Sequence, residues 1–138
     1  MIFGEDRDKL RAMYAQAWQK QCDGNVLSPL EVQIAQVIAD HPEYHAAVSG
    51  DLGRDFAVEG GETNPFLHMG LHLGIREQVA TNRPAGIAAV FNDLATTSGD
   101  AHAAEHRMID CLAETLWEAQ SKNTPPDEAL YLQQLRQL

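Results

Sequence analysis

Apolar residues recur at three- and four-residue spacing along most of the chain, which is the period of a helix face and not of a strand. The first run, Leu10, Met13, Tyr14, Ala17 and Trp18, predicts a helix from near Asp6 to Asp23-Gly24, where Gly24 can close it in the left-handed conformation. Ser28-Pro29-Leu30-Glu31 marks the next start. Ser28 can cap, Pro29 suits the first helical position, and Glu31 completes a capping box. That second helix ends by Asp40-His41, because Pro42 disfavours helical geometry in the residue before it. A short helical turn can restart over residues 42–48.

Residues 49–63 break the pattern. They hold Gly50, Gly53, Gly60 and Gly61, with Phe56-Ala57-Val58 as a candidate extended piece, and read as a long ordered connection. Asn64-Pro65 opens a third helix that runs to about Asn82 and is apolar nearly all round. A fourth starts at Pro84 and carries Ile87, Val90, Phe91 and Leu94 before Ser98-Gly99. Asp100 caps the fifth and longest helix, which reaches about Lys122, and Thr124-Pro125-Pro126-Asp127 starts a sixth with Leu130, Leu132 and Leu135. Trp18 and Trp117 read as core or core-edge anchors. The expectation is an all-α fold, a helical bundle of five to six helices with one long Gly-rich connection, in a single domain over residues 1–138.

Composition adds exclusions rather than detail. The chain has 138 residues, enough for one core without staples, and 44% are hydrophobic. Twenty acidic against ten basic side chains give a formal net charge of −10, which repels phosphate backbones and anionic lipid. Nucleic acid and membrane are therefore poor partners, whereas a protein partner or a homo-oligomer stays open. Cys22 and Cys111 form no CxxC pair and read as buried thiols in a reducing compartment. The amino terminus turns acidic at once, unlike a signal peptide, and no apolar run nears the length of a membrane span, so the expected location is cytoplasmic.

The histidines carry the chemistry. All six fall into three pairs four residues apart: His41/His45, His68/His72 and His102/His106. Chance placement gives roughly a quarter of one such pair. Residues four apart stack on one helix face within reach of a single ion, and neutral imidazole suits zinc, iron, copper or nickel. His68 and His72 share a face with Ile75 and Val79. His102 and His106 lie beside the apolar centre formed by Met108, Leu112 and Leu116, and Asp110 and Glu114 continue their side. If the third and fifth helices pack together, His68, His72, His102 and His106 become metal ligands for zinc or iron. Glu105, Asp110 or Glu77 would then serve as carboxylate ligands or outer acceptors. With an open coordination position, Glu105 or Glu77 becomes a candidate catalytic base for a bound water. His41 and His45 are additional candidates, though Pro42 interrupts the helix between them and favours a helix-end role.

His102-Ala103-Ala104-Glu105-His106 spells H-x-x-E-H, the inverted zinc-peptidase signature, but residues 107–138 leave little room for the large domain such enzymes use. There is no P-loop, no G-x-S-x-G and no cysteine–histidine nucleophile pattern. Whether the chain is an enzyme is open. The alternative to a metal centre is a non-enzymatic interaction or regulatory module whose histidines form a polar core network.

Three segments bear a family likeness: His41-Pro42-Glu43-Tyr44-His45; Glu59-Gly60-Gly61-Glu62-Thr63-Asn64-Pro65-Phe66-Leu67-His68; and His102-Ala-Ala-Glu-His106 with Trp117-Glu-Ala-Gln120 and Pro125-Pro126-Asp127. With them the chain resembles a proteobacterial family catalogued as domain of unknown function 1841, over nearly its whole length. The resemblance implies a bacterial cytoplasmic setting and a single helical domain, and it implies no activity. A looser likeness joins the chain to hemerythrin-like, ferritin-like and DinB-like bundles, but the paired Glu-x-x-His arrangement of di-iron proteins is missing.

Overall fold

The capping chemistry of the sequence is realised where it was expected. The Ser28 hydroxyl accepts from the Glu31 amide at 3.2 Å and the Glu31 carboxylate accepts from the Ser28 amide at 2.9 Å, a reciprocal box that starts helix α2, Pro29–Ala39. A computed structural model describes residues 2–57 and 61–138. Before α2 runs α1, Ile2–Asp23; after it come a 3-10 turn, Pro42–Tyr44, and the short α3, His45–Ser49. Helices α4 (Pro65–Thr81), α5 (Ile87–Ser98), α6 (Ala101–Lys122) and α7 (Glu128–Arg136) complete an all-α chain, with no strand among the described residues. None of the described helices is long and apolar enough to cross a membrane.

Helix ends differ from expectation at two places. The first helix begins at Ile2 and not near Asp6. An acidic residue in an early turn is favoured by the helix dipole and need not be a cap. The fourth begins at Ile87, three residues after Pro84, because Gly86 holds a left-handed φ of 106° that no α-helix accommodates. Its first turn is capped from upstream, with the Asn82 side-chain oxygen accepting from the Gly86 and Ala88 amides at 3.1 Å each. Phe56 and Ala57 take no regular structure, and Val58 lies outside the described residues.

The chain divides into two compact units, Met1–Gly70 and Leu71–Leu138, with the division inside α4. In the first, α1 packs on α2 and α3, and Tyr14, Ala17, Ile34, Val37, Ile38, Val48, Phe66 and Met69 are buried. The stripe read from α1 is shifted: Leu10 and Met13 are 47% and 41% exposed, while Arg11 is buried at 3%. The Arg11 guanidinium donates to the Leu52 and Arg54 carbonyls at 2.7 Å each and lies 4.9 Å from the Phe66 ring centroid. This clamp supplies the partners that a buried cation requires and ties the glycine-containing connection to α1. Glu62 adds an ion pair with Arg54 and accepts the Ala57 amide at 2.9 Å.

In the second unit one core joins α4 to α7, built from Ile75, Ile87, Val90, Leu94, Ala104, Met108, Ile109, Leu112, Tyr131 and Leu135. Tyr131 donates its hydroxyl to Gln78 at 2.7 Å, and burial pushes the phenol well above its ordinary pKa. One anchor and one apolar-centre position expected of α6 face outward. Trp117 is 66% exposed and Leu116 is 44% exposed; Thr115 and Leu112 take the inward positions on that part of α6. Cys22 is exposed and Cys111 half-buried, and both are free thiols.

Candidate metal centre

The register of α6 is set at its first residue. Asp100 accepts the His102 amide at 3.0 Å, and from that cap His102 and His106 fall one turn apart on one face. Their ring centroids are 4.5 Å apart. Glu105, between them in sequence, turns inward and is 5% exposed. On α4, His72 is fully buried and Arg76 follows it by one turn. The His72 ring lies 5.0 Å from His102 and 4.8 Å from His106.

Each of these three histidines offers a ring nitrogen, and those nitrogens lie within 4.8 Å of one another. Ligands on a tetrahedral zinc ion at 2.0–2.1 Å stand about 3.3 Å apart, so the rings need to close by roughly an ångström or two. His106 is exposed and His102 half-buried, which leaves them side-chain freedom to do so. The cluster could hold a metal ion.

Glu105 organises the buried ring. Its Oε1 accepts from His72 Nδ1 at 2.8 Å, and Arg76 donates from Nε to Oε2 at 3.0 Å and from Nη2 to Oε1 at 3.2 Å. A neutral His72 that donates from Nδ1 carries its lone pair on Nε2, so this bond assigns the tautomer that a metal requires. Burial pushes the Glu105 carboxyl up. The hydrogen bonds from His72 and Arg76, with the Arg76 charge, outweigh that and hold it below the usual carboxylate range. Glu105 is thus an ionised acceptor fixed in place.

The other named residues are distributed as follows. In the first unit, His41 is buried and its Nδ1 donates to the Val37 carbonyl at 2.7 Å; His45 donates from Nε2 to the Ile38 carbonyl at 3.0 Å. Both therefore occupy carbonyls of the last turn of α2, the helix-end role that Pro42 suggested. His68 is half-buried and packs edge-on to His41, at 5.3 Å, and to Tyr44, at 5.9 Å. His45 lies against Trp18 at 4.5 Å. Glu77, Asp110 and Glu114 are exposed. Glu77 follows His72 by five residues, a rotation of about 140° around α4 that carries it away from the histidine face. Sequence reasoning passed over Arg76. The available signal was its spacing, four residues after His72 on the same face.

A model of the family described as Domain of unknown function (DUF1841) matches residues 6–137. The chain belongs to this family. No curated protein and no solved structure matches it. Within the DUF1841 chain, all three histidines of the cluster, Glu105 and Arg76 lie inside the matched region.

Proposed function

We propose that this DUF1841 protein binds a transition-metal ion, zinc or iron, through His72, His102 and His106. The single observation that carries the reading is the convergence of three imidazole nitrogens from two helices within 4.8 Å, with Glu105 bonded to Nδ1 of the buried ring. A carboxylate behind a ligating histidine fixes ring orientation and raises ligand basicity, and it is the usual support of a biological metal site. Three neutral nitrogens also leave the ion's charge undiminished, the condition under which a bound water ionises near neutral pH. A further coordination position belongs to water, to a substrate or to another protein group.

The test is elemental analysis of protein purified without a histidine tag. The expected result is about one equivalent of metal, lost in the His102→Ala/His106→Ala double variant. Both substitutions fall outside the tightly buried core, so the variant remains folded. Metal-free protein that shows no thermal shift with added zinc or iron(II) sinks the proposal.

One observation favours a second reading. Among the described residues, every buried side-chain nitrogen and oxygen already has a hydrogen-bond partner without an ion. The histidines would then form a polar network in an interaction module. Under that reading, a protein partner binds equally well with and without chelator, and the double variant leaves binding intact.

A further inference from the structure

The metal reading leaves zinc and iron undecided, and the arrangement behind His72 bears on that choice. Non-haem iron(II) centres use two histidines and a carboxylate, whereas hydrolytic and hydration zinc centres use three nitrogens or nitrogens with one carboxylate. Helix α6 offers a carboxylate next to both of its ligands, since Glu105 directly precedes His106 and follows His102 by three residues. A two-histidine, one-carboxylate set was therefore within reach of this sequence. The fold uses the carboxylate otherwise. Both Glu105 oxygens are engaged by the forked Arg76 guanidinium, and Oε1 also accepts from the nitrogen of His72 that faces away from a metal bound at Nε2. Arg76 is held to this task by its position one turn after His72 on α4.

We propose that Arg76 is a positioning residue that keeps Glu105 out of the metal's inner coordination sphere, so that the neutral nitrogen set selects zinc(II) over iron(II). The inference rests on the three-histidine reading. Arg76 supplies a charge that cancels the carboxylate and a planar fork that fixes its orientation. Without the fork, an anionic oxygen next to two ligating imidazoles is drawn to the divalent ion. The set becomes harder and more anionic, and its preference shifts toward iron(II).

The experiment uses the full chain, with cobalt(II) as a spectroscopic probe and competition between zinc(II) and iron(II) under anaerobic conditions. Arg76→Met is expected to lower the zinc-to-iron(II) affinity ratio by about tenfold or more, the low end of effects at such outer groups. It is also expected to change the cobalt(II) ligand-field bands as an oxygen ligand enters. Introduced into Glu105→Gln protein, the same substitution is expected to change neither quantity, because no carboxylate remains to be released. Arg76→Lys keeps the charge and loses the fork; it moves the ratio the same way by less, and decides the matter should Arg76→Met fail to fold. If all variants bind zinc with the wild-type ratio and spectrum, Arg76 does not set the ion and this inference is overturned while the site stands. If the wild-type chain binds none of the three ions, the three-histidine reading itself has failed.

Discussion

The two units use the same residue type for opposite ends. At the end of α2, His41 and His45 turn ring nitrogens toward main-chain carbonyls, those of Val37 and Ile38. In the second unit, His72, His102 and His106 turn their rings toward one another, and His72 donates from Nδ1 to the Glu105 carboxylate. Carbonyls at a helix end are obligatory acceptors, and any nearby donor lowers the cost of burying them. Three converging imidazoles instead offer nitrogens that suit one electrophilic centre. Identical spacing in sequence therefore says little until each ring's partner is known.

The largest test of this contrast is at Glu105. Glu105→Ala removes the partner of a buried histidine and of Arg76, and is expected to lower stability by about 3–5 kcal/mol in chemical denaturation, the usual cost of orphaning a buried charge. A loss under 1 kcal/mol would show that the network is not what orders the second unit's histidines. Next comes the ion itself. Zinc at one hundred times its Kd is expected to stabilise wild-type protein by about 2.7 kcal/mol. The His102→Ala/His106→Ala variant should gain nothing, and an equal gain there would place zinc elsewhere.

The first unit is probed through its own buried charge. Arg11→Met leaves the Leu52 and Arg54 carbonyls without their donor and is expected to cost about 2 kcal/mol. Faster limited proteolysis within residues 49–63, read by mass spectrometry, is the accompanying sign. His45→Ala is expected to cost about 1 kcal/mol and to leave metal stoichiometry unchanged, since its ring bonds a carbonyl and lies tilted against Trp18. The smallest effect is electrostatic. Hydrogen bonds from Lys20 and then from the Ser28 amide hold the Glu31 carboxyl at about 2, below its ordinary 4.5. A depressed carboxyl stabilises the fold above pH 4.5, and that contribution fades as pH falls toward 2. Lys20→Met should flatten this part of the acid-denaturation profile; an unchanged profile would remove the pair from the account.

Much of the fold was legible because its signals are local. Ser28-Pro29-Leu30-Glu31, Asp100 and Asp127 cap helices through atoms within three residues of themselves, and the apolar period of α5 needs only its own side chains. The start of α5 falls beyond Pro84 because, although proline is a common first helical residue, the left-handed turn before Ile87 depends on the Asn82 oxygen reaching forward. Leu10, Met13 and Trp117 were misplaced for a related reason. Periodicity identifies which residues share a face, but a face is buried only to the extent that another element covers it, and burial of Arg11 required two distant carbonyls and an aromatic ring.

For the candidate site, the chain alone determined that histidines come in helical pairs and that Glu105 stands beside two of them, since spacing on one helix is a property of the backbone. Tertiary structure decided the rest. It chose His72 to meet His102 and His106, gave the Glu105 carboxylate to His72 and Arg76, and left Glu77, Asp110 and Glu114 in solvent. Those choices depend on which face of α4 meets which face of α6, and a packing contact between residues about thirty positions apart leaves no periodic trace in either helix.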